Sequence, residues 1–321
     1  MPHAREAAAT TRPPARHGPE RPLPRKKRTT RSGLRRSVPW WFLLPALTLY
    51  LYVVLAPSLQ GAGYAFTDWT GLGTPASFIG LENFRKSLGD PDARDALWQT
   101  LLVTVVITVV QNVIGLLLAL GVNSRIRSRN VLRVLFFAPA VMTPVVTAYL
   151  WRYLYAPEGA FNTALETLGL GSLTQNWLGD PDLALWSVAA IVIWQFSGYS
   201  MVIFLAGLQG VPRELHEAAG VDGAGAFQRF WHITRPLLAP ATTINLMLSM
   251  IGGFKLFDQV YVTTGGGPGH ATETLSTLIY KNAFQFDEYA YSTALAVFLA
   301  VVVAVVSAGQ YRGLQRQKGM P

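Results

Sequence analysis

The chain has 321 residues and a mass of 35.1 kDa; half its residues are hydrophobic, 14% are charged and none is cysteine, with 27 Lys and Arg against 18 Asp and Glu. A soluble domain carries nearer a quarter charged residues. The apolar content excludes disorder along most of the chain, and the missing cysteines exclude a disulfide scaffold, thiol catalysis and a cysteine-ligated metal.

The first 36 residues carry 11 basic residues interleaved with Pro13, Pro14, Pro19, Pro22 and Pro24. That pattern would suit nucleic acid or anionic lipid as readily as water. It is read as a disordered, solvated basic tail with no nucleic-acid partner. Beyond it, six stretches lack Asp, Glu, Lys and Arg altogether: 37–67, 96–124, 134–151, 183–212, 236–254 and 289–311. About 20 apolar residues carry a helix across a hydrocarbon core about 30 Å thick, so each stretch can cross once. The third is the shortest and holds Pro139 and Pro144. Bundle neighbours can satisfy the backbone groups that proline leaves open, so a kinked helix is expected there. Buried helices of a soluble protein would instead show polar faces at 3.6-residue spacing, and residues 101–110 have none.

Basic residues are retained on the cytoplasmic side of short loops. With the first tail inside, the inner segments hold 21 basic residues, including Arg125, Arg127, Arg129 and Arg133, against 6 outside. Leaving out the long tail, the balance is 10 to 6 in the same sense. Both termini are therefore expected inside. Trp40, Trp41, Trp98 and Trp151, near span ends, read as interfacial anchors.

Between the fourth and fifth stretches, on the expected inner side, residues 210–240 read GVPRELHEAAGVDGAGAFQRFWHITRPLLAP. Pro212 suits the first turn of a helix, and Leu215, Ala218 and Ala219 give it a small apolar face. Asp222, Gly223 and Ala224 read as a turn. A second helix should place Phe227, Phe230 and Trp231 on one bulky face and stop at Pro236. Small residues let a partner approach closely, and Glu217 offers a charge to a cation across a contact. The alternative is an amphipathic hairpin lying on the bilayer.

Polar residues interrupt the fourth stretch at Trp194, Gln195, Ser197, Tyr199 and Ser200. Rings with hydrogen-bonding tips suit sugars, although Ser and Tyr side chains can equally serve helix packing. Lys255 and Asp258, three apart, are expected on one helical face, neutralising each other. The glycine run 265–269 lacks the lysine of a phosphate-binding loop and reads as a tight turn. No enzyme chemistry emerges: after His216 and Glu217 the second zinc position is Gly220, and the five histidines have no ligand spacing.

The run Glu217, Ala218, Ala219, Gly223, Ile233 and Pro236 resembles the EAA loop of the membrane-spanning subunits of binding-protein-dependent ABC importers, with Arg235 standing where the family usually has leucine. FTDW at 66–69, FIGLENF at 78–84 and FKLFDQVYVTTGGGPGHATET at 254–274 resemble the carbohydrate branch, in the class of the first permease of maltose, lactose and glycerol-phosphate systems. The resemblance implies an all-α polytopic membrane protein of the type I importer fold, with six transmembrane helices over residues 37–315 and a cytoplasmic helix-turn-helix coupling loop. It further implies import of a sugar or oligosaccharide, with a peptide, polyamine or glycerol-phosphate as the alternative solute. The implied partners are a second permease, a cytoplasmic ATPase dimer carrying ATP and Mg, an extracytoplasmic sugar-binding protein and membrane lipid, so that this chain binds no cofactor or metal and is not an enzyme. Glu217, Ala218, Ala219, Gly223, Phe227, Phe230 and Ile233 would couple to the ATPase, with Phe227 to Trp231 packing inward. Gln195, Tyr199, Ser249 and Gly253 would line the substrate path in the plasma membrane, Gly253 and Leu256 standing where maltose-type members have asparagine.

Overall fold

The computed structural model describes residues 40–71, 73–124 and 127–318. The basic tail, read as disordered, and Arg125 lie outside the described residues. The chain divides into two units, 1–50 and 51–321. In the first, the described residues are helical from Trp40 to Tyr50. In the second, the described residues form helices joined by turns and loops, with a single isolated bridge between Thr67 and Phe78.

Four helical stretches are long and apolar enough to cross a membrane: Trp41–Tyr64, Pro91–Asn123, Pro181–Gln209 and Tyr289–Gly313. Two bent pairs meet the same condition together, Arg129–Val141 with Pro144–Leu154 and Ala226–Leu237 with Ala239–Phe254. Each of the six overlaps one charge-free stretch, although Ala226–Leu237 belongs mostly to the loop at 210–240.

The side chains of the second span, Pro91–Asn123, are arranged as lipid demands. Thr100, Thr104, Thr108, Gln111 and Asn112 are buried, while Val105, Val109, Val113 and Leu117 are exposed. Apolar groups outside and polar groups within is the reverse of a soluble helix, and in hydrocarbon it leaves each inner hydroxyl or amide to find its partner on a neighbouring helix. The second span pairs with the fourth, Pro181–Gln209, around a core that includes Val103, Ile107, Leu185, Val188 and Val192. A second cluster, with Ala119, Met201, Phe204 and Leu238, packs the other end. Small residues set these distances: a Cβ on Gly115 would lie 3.1 Å from the Met201 nitrogen.

The third crossing is more than a kinked helix. Its halves meet at 98°. Pro139 sits inside the first half without ending it, whereas Pro144 excludes the α conformation from the residue before it. Thr143 is accordingly extended (φ −67°, ψ 147°), and its hydroxyl caps the second half by accepting from the Val146 amide at 3.4 Å.

The loop after the fourth span is a helix, a turn and a helix, as expected. Arg213–Val221 ends on Gly223 at φ +79°, a conformation that costs any side-chain-bearing residue energy. The Ala224 amide donates to the Ala219 carbonyl (2.8 Å) and the Gly223 amide to that of Gly220 (3.2 Å), the two bonds of a Schellman cap. Pro236 does not stop the second helix. A wide π turn at Phe230–Thr234 precedes it, and the helical run continues to Leu237 before bending by 68° into Ala239–Phe254. At 16 residues, or about 24 Å at 1.5 Å per residue, that last helix alone falls short of a bilayer core.

Candidate functional sites: a polar cleft and an exposed loop

A cleft of about 500 Å³ opens among the second, third, fourth and fifth spans, within the usual range of ligand pockets. Its walls are largely apolar, and its polar groups include Gln111, Tyr199, Asn245, Ser249 and Gln259. Three of the four path residues expected from sequence, Tyr199, Ser249 and Gly253, line it.

Gln195 does not line the cleft. It is fully buried, donates from Nε2 to the Met142 carbonyl at 3.0 Å and accepts from Gln259 Nε2 at 3.0 Å. The break in the third span frees that carbonyl, and the fourth span supplies the amide that satisfies it. Trp194 stands apart as well, edge-on to Trp151 with ring centroids 5.3 Å apart. Trp151 also belongs to an aromatic cluster with Tyr155 and Trp194. Trp41 and Trp98 are exposed, as an anchor requires.

Several polar residues in and behind the cleft wall were not singled out from sequence. Gln111 donates to the Ser200 hydroxyl at 2.9 Å, Asn112 to the Ser249 hydroxyl at 2.8 Å, and Asn245 to the Ser200 carbonyl at 3.0 Å. The expectation that residues 101–110 lack a polar face is corrected here: Thr100, Thr104, Thr108 and Asn112 repeat every four residues along one buried face of an otherwise apolar helix. Gly253 is where the fifth span meets the second, since a Cβ there would come within 2.9 Å of both Thr104 Oγ1 and Cγ2. An asparagine would not fit at that crossing.

Lys255 and Asp258 do not share a helical face. The helix ends at Phe254, Lys255 is its cap, and Asp258 begins the next short helix, Asp258–Thr263. Among the described residues no ion pair joins them, and both line the cleft. The turn that follows is tight, as expected: the Thr264 and Thr272 hydroxyls lie 2.7 Å apart, and buried Glu273 pairs with Lys281.

At the EAA loop, Ala219, Gly223 and Ile233 come together around a shallow cleft of about 390 Å³, with Arg229 and His232 on its rim. Glu217 and Ala218 are exposed beside it, and Phe230 is half-buried. The aromatic face does not pack inward on this chain. Phe227 is 75% and Trp231 46% exposed; the two rings stack at 6.1 Å, and Arg235 lies over Trp231 at 4.2 Å. The turn and the wide π segment splay the second helix away from the bundle, so the rings are presented outward.

The family model of the binding-protein-dependent transport system inner membrane component matches residues 111–318, which contain the loop and both helices of its cleft. The chain belongs to this family. This permease is 34% identical over 279 residues to the probable starch degradation products transport system permease protein AmyD of Thermoanaerobacterium thermosulfurigenes, covering 87% of this chain and 94% of that one. It is 32% identical over 288 residues to the multiple sugar-binding transport system permease protein MsmF of Streptococcus mutans, covering 88% and 97%. The permease also has the fold of a chain in the crystal structure of a bacterial ABC transporter involved in the import of the acidic polysaccharide alginate, with a TM-score of 0.76 and 24% identity over 86% of this chain and 94% of that one. It is thus a multi-pass membrane protein and a transporter component, with the type I importer permease fold.

Proposed function

We propose that this permease forms the path by which a sugar or oligosaccharide, handed over by an extracytoplasmic binding protein, crosses the plasma membrane beside a second permease subunit. ATP and Mg reside on a separate pair of cytoplasmic ATPases, which drive alternating access through the EAA loop, with both termini of this chain inside. The observation that carries the reading is the cleft: amide and hydroxyl groups set in apolar walls between spans, which suit a solute with apolar C–H faces and many hydroxyls. The sugars named for the relatives point the same way.

The loop supports the coupling role. Glu217 is exposed and carries no ion pair among the described residues, and Phe227 and Trp231 offer a bare aromatic face for a cleft on the ATPase. A second reading, in which the solute is a peptide, polyamine or glycerol-phosphate, draws on Lys255 and Asp258, two opposite charges that line the cleft without pairing to each other. The two readings separate by ATP hydrolysis of the co-expressed complex in lipid vesicles, with its binding protein, across a panel of sugars, peptides and polyamines. Stimulation by a sugar only when the binding protein is present supports the proposal. Stimulation confined to a peptide or polyamine favours the second reading.

A further inference from the structure

We propose that Asn245 and Gln259 contact the solute directly, each as a hydrogen-bond acceptor whose orientation is fixed by a backbone carbonyl behind it. The inference rests on the reading of the cleft as the solute path. Amide oxygen and nitrogen are often interchangeable in a structure, but not where the partner can only accept.

A backbone carbonyl has no hydrogen to give. The side chain of Asn245 meets the Ser200 carbonyl at 3.0 Å, so the group facing it must be Nδ2, and Oδ1 is left for another partner. Gln259 is fixed through one relay. The Met142 carbonyl requires Nε2 of Gln195, which turns Gln195 Oε1 toward Gln259 and requires Gln259 to present Nε2 at 3.0 Å. Gln259 Oε1 then has no donor. Among the described residues nothing donates to either oxygen, and both residues line the cleft.

Asn245 is 1% and Gln259 4% exposed, and neither oxygen is sealed off, so each keeps a narrow opening onto the cleft through which a donor can reach it. Both amides are held from behind by helices that the fold already requires, the fourth span for Asn245 and the broken third span, through Gln195, for Gln259. Two pre-oriented acceptors in a largely apolar pocket select a solute that brings donors, which for a carbohydrate means two of its hydroxyl groups. Such a site rejects an analogue lacking the donor far more strongly than an apolar wall distinguishes shapes. The cleft therefore sorts its solute by hydroxyl position as well as by size.

The absence of cysteine from the chain permits a direct test. The single substitutions N245C, Q259C and Y199C are made in the full complex with its partner subunits, and the rate of modification by a small methanethiosulfonate reagent is measured with and without maltose, lactose, xylose and arabinose, each with the binding protein. The expected result is that the same sugar slows modification of N245C and Q259C at least threefold, and of Y199C as well. Protection of Y199C without N245C, without Q259C or without both overturns this inference and leaves the path reading standing. Protection of none of the three overturns the path reading and the inference with it. Where cysteine disturbs assembly, Q259M keeps the length of the side chain and removes the acceptor. Sugar uptake by an equal amount of assembled complex should then fall about threefold to tenfold, the worth of one hydrogen bond, and unchanged uptake overturns the assignment of Gln259.

Discussion

Replacing Gly198 by alanine tests whether the broken third span is held by the fourth as described. A Cβ at Gly198 would press on the Phe136 carbonyl oxygen, and would lie 2.6 Å from the Phe136 carbonyl carbon and 2.9 Å from the Phe137 Cα. Carbon atoms in ordinary contact sit about 3.5 Å apart, so the two helices must part by at least about 0.9 Å. Overpacking of this kind costs about 1–3 kcal/mol. The same retreat stretches the 3.0 Å bond from Gln195 to the Met142 carbonyl toward 4 Å, where about 0.6 kcal/mol of interhelical hydrogen bonding is lost. Offset by the about 0.5–1 kcal/mol that alanine gains over glycine within a helix, the net loss is about 1–3 kcal/mol, read as a lower midpoint of unfolding by dodecyl sulfate in mixed micelles. Gly121→Ala is the control: nothing lies within 4 Å of its added Cβ, and alanine favours a helix over glycine by about 0.5–1 kcal/mol. If G198A unfolds at the same midpoint as the parent protein, the close approach of these two spans is wrong.

Lys281→Met should destabilise the permease by up to about 3–5 kcal/mol, because it leaves the buried Glu273 carboxylate with only His270, 3.5 Å away; adding Glu273→Gln should recover most of that loss in a double-mutant cycle. Gly223→Val should cost about 1–2 kcal/mol, since the Schellman cap needs a positive φ, and should lower the yield of assembled complex in pull-down with the ATPase. Phe227→Ala with Trp231→Ala should leave the unfolding midpoint of the isolated permease within about 0.5 kcal/mol, both rings being exposed, while weakening co-purification of the ATPase. Glu217→Lys should separate ATP hydrolysis from uptake or prevent assembly; coupled transport at the parent rate would remove Glu217 from that role.

The crossings were legible because a bilayer imposes one simple demand on sequence, a run of about 20 residues without charge. The Schellman turn of the EAA loop was legible for a similar reason, since Gly223 follows a short helix directly. What could not be read was how a proline acts in a given helical context. Pro139 and Pro144 are five residues apart, yet one is absorbed within a helix and the other starts a new one at 98°. The outcome depends on which freed carbonyls find partners, and the partner at Met142 is Gln195, 53 residues away. For the same reason Gln195 was placed on the path: a polar residue in an apolar span has a face only once its neighbours are known. Gln111, Asn112 and Asn245 are single amides whose partners lie on other spans, so only packing reveals their faces, although the repeat of Thr100, Thr104, Thr108 and Asn112 marks the inner face of the second span. Phe227 and Trp231 mislead in the other direction, since a bulky helical face ordinarily means a core and here faces outward.

Uptake of labelled sugar into vesicles holding the permease with its partner subunits, ATP enclosed and binding protein supplied on the opposite side, decides whether this is a sugar permease powered from outside its own chain. The expected result is accumulation above the external concentration that stops when ATP, the ATPase subunits or the binding protein is left out. Accumulation by vesicles lacking the ATPase subunits, driven by a proton or sodium gradient, would contradict it.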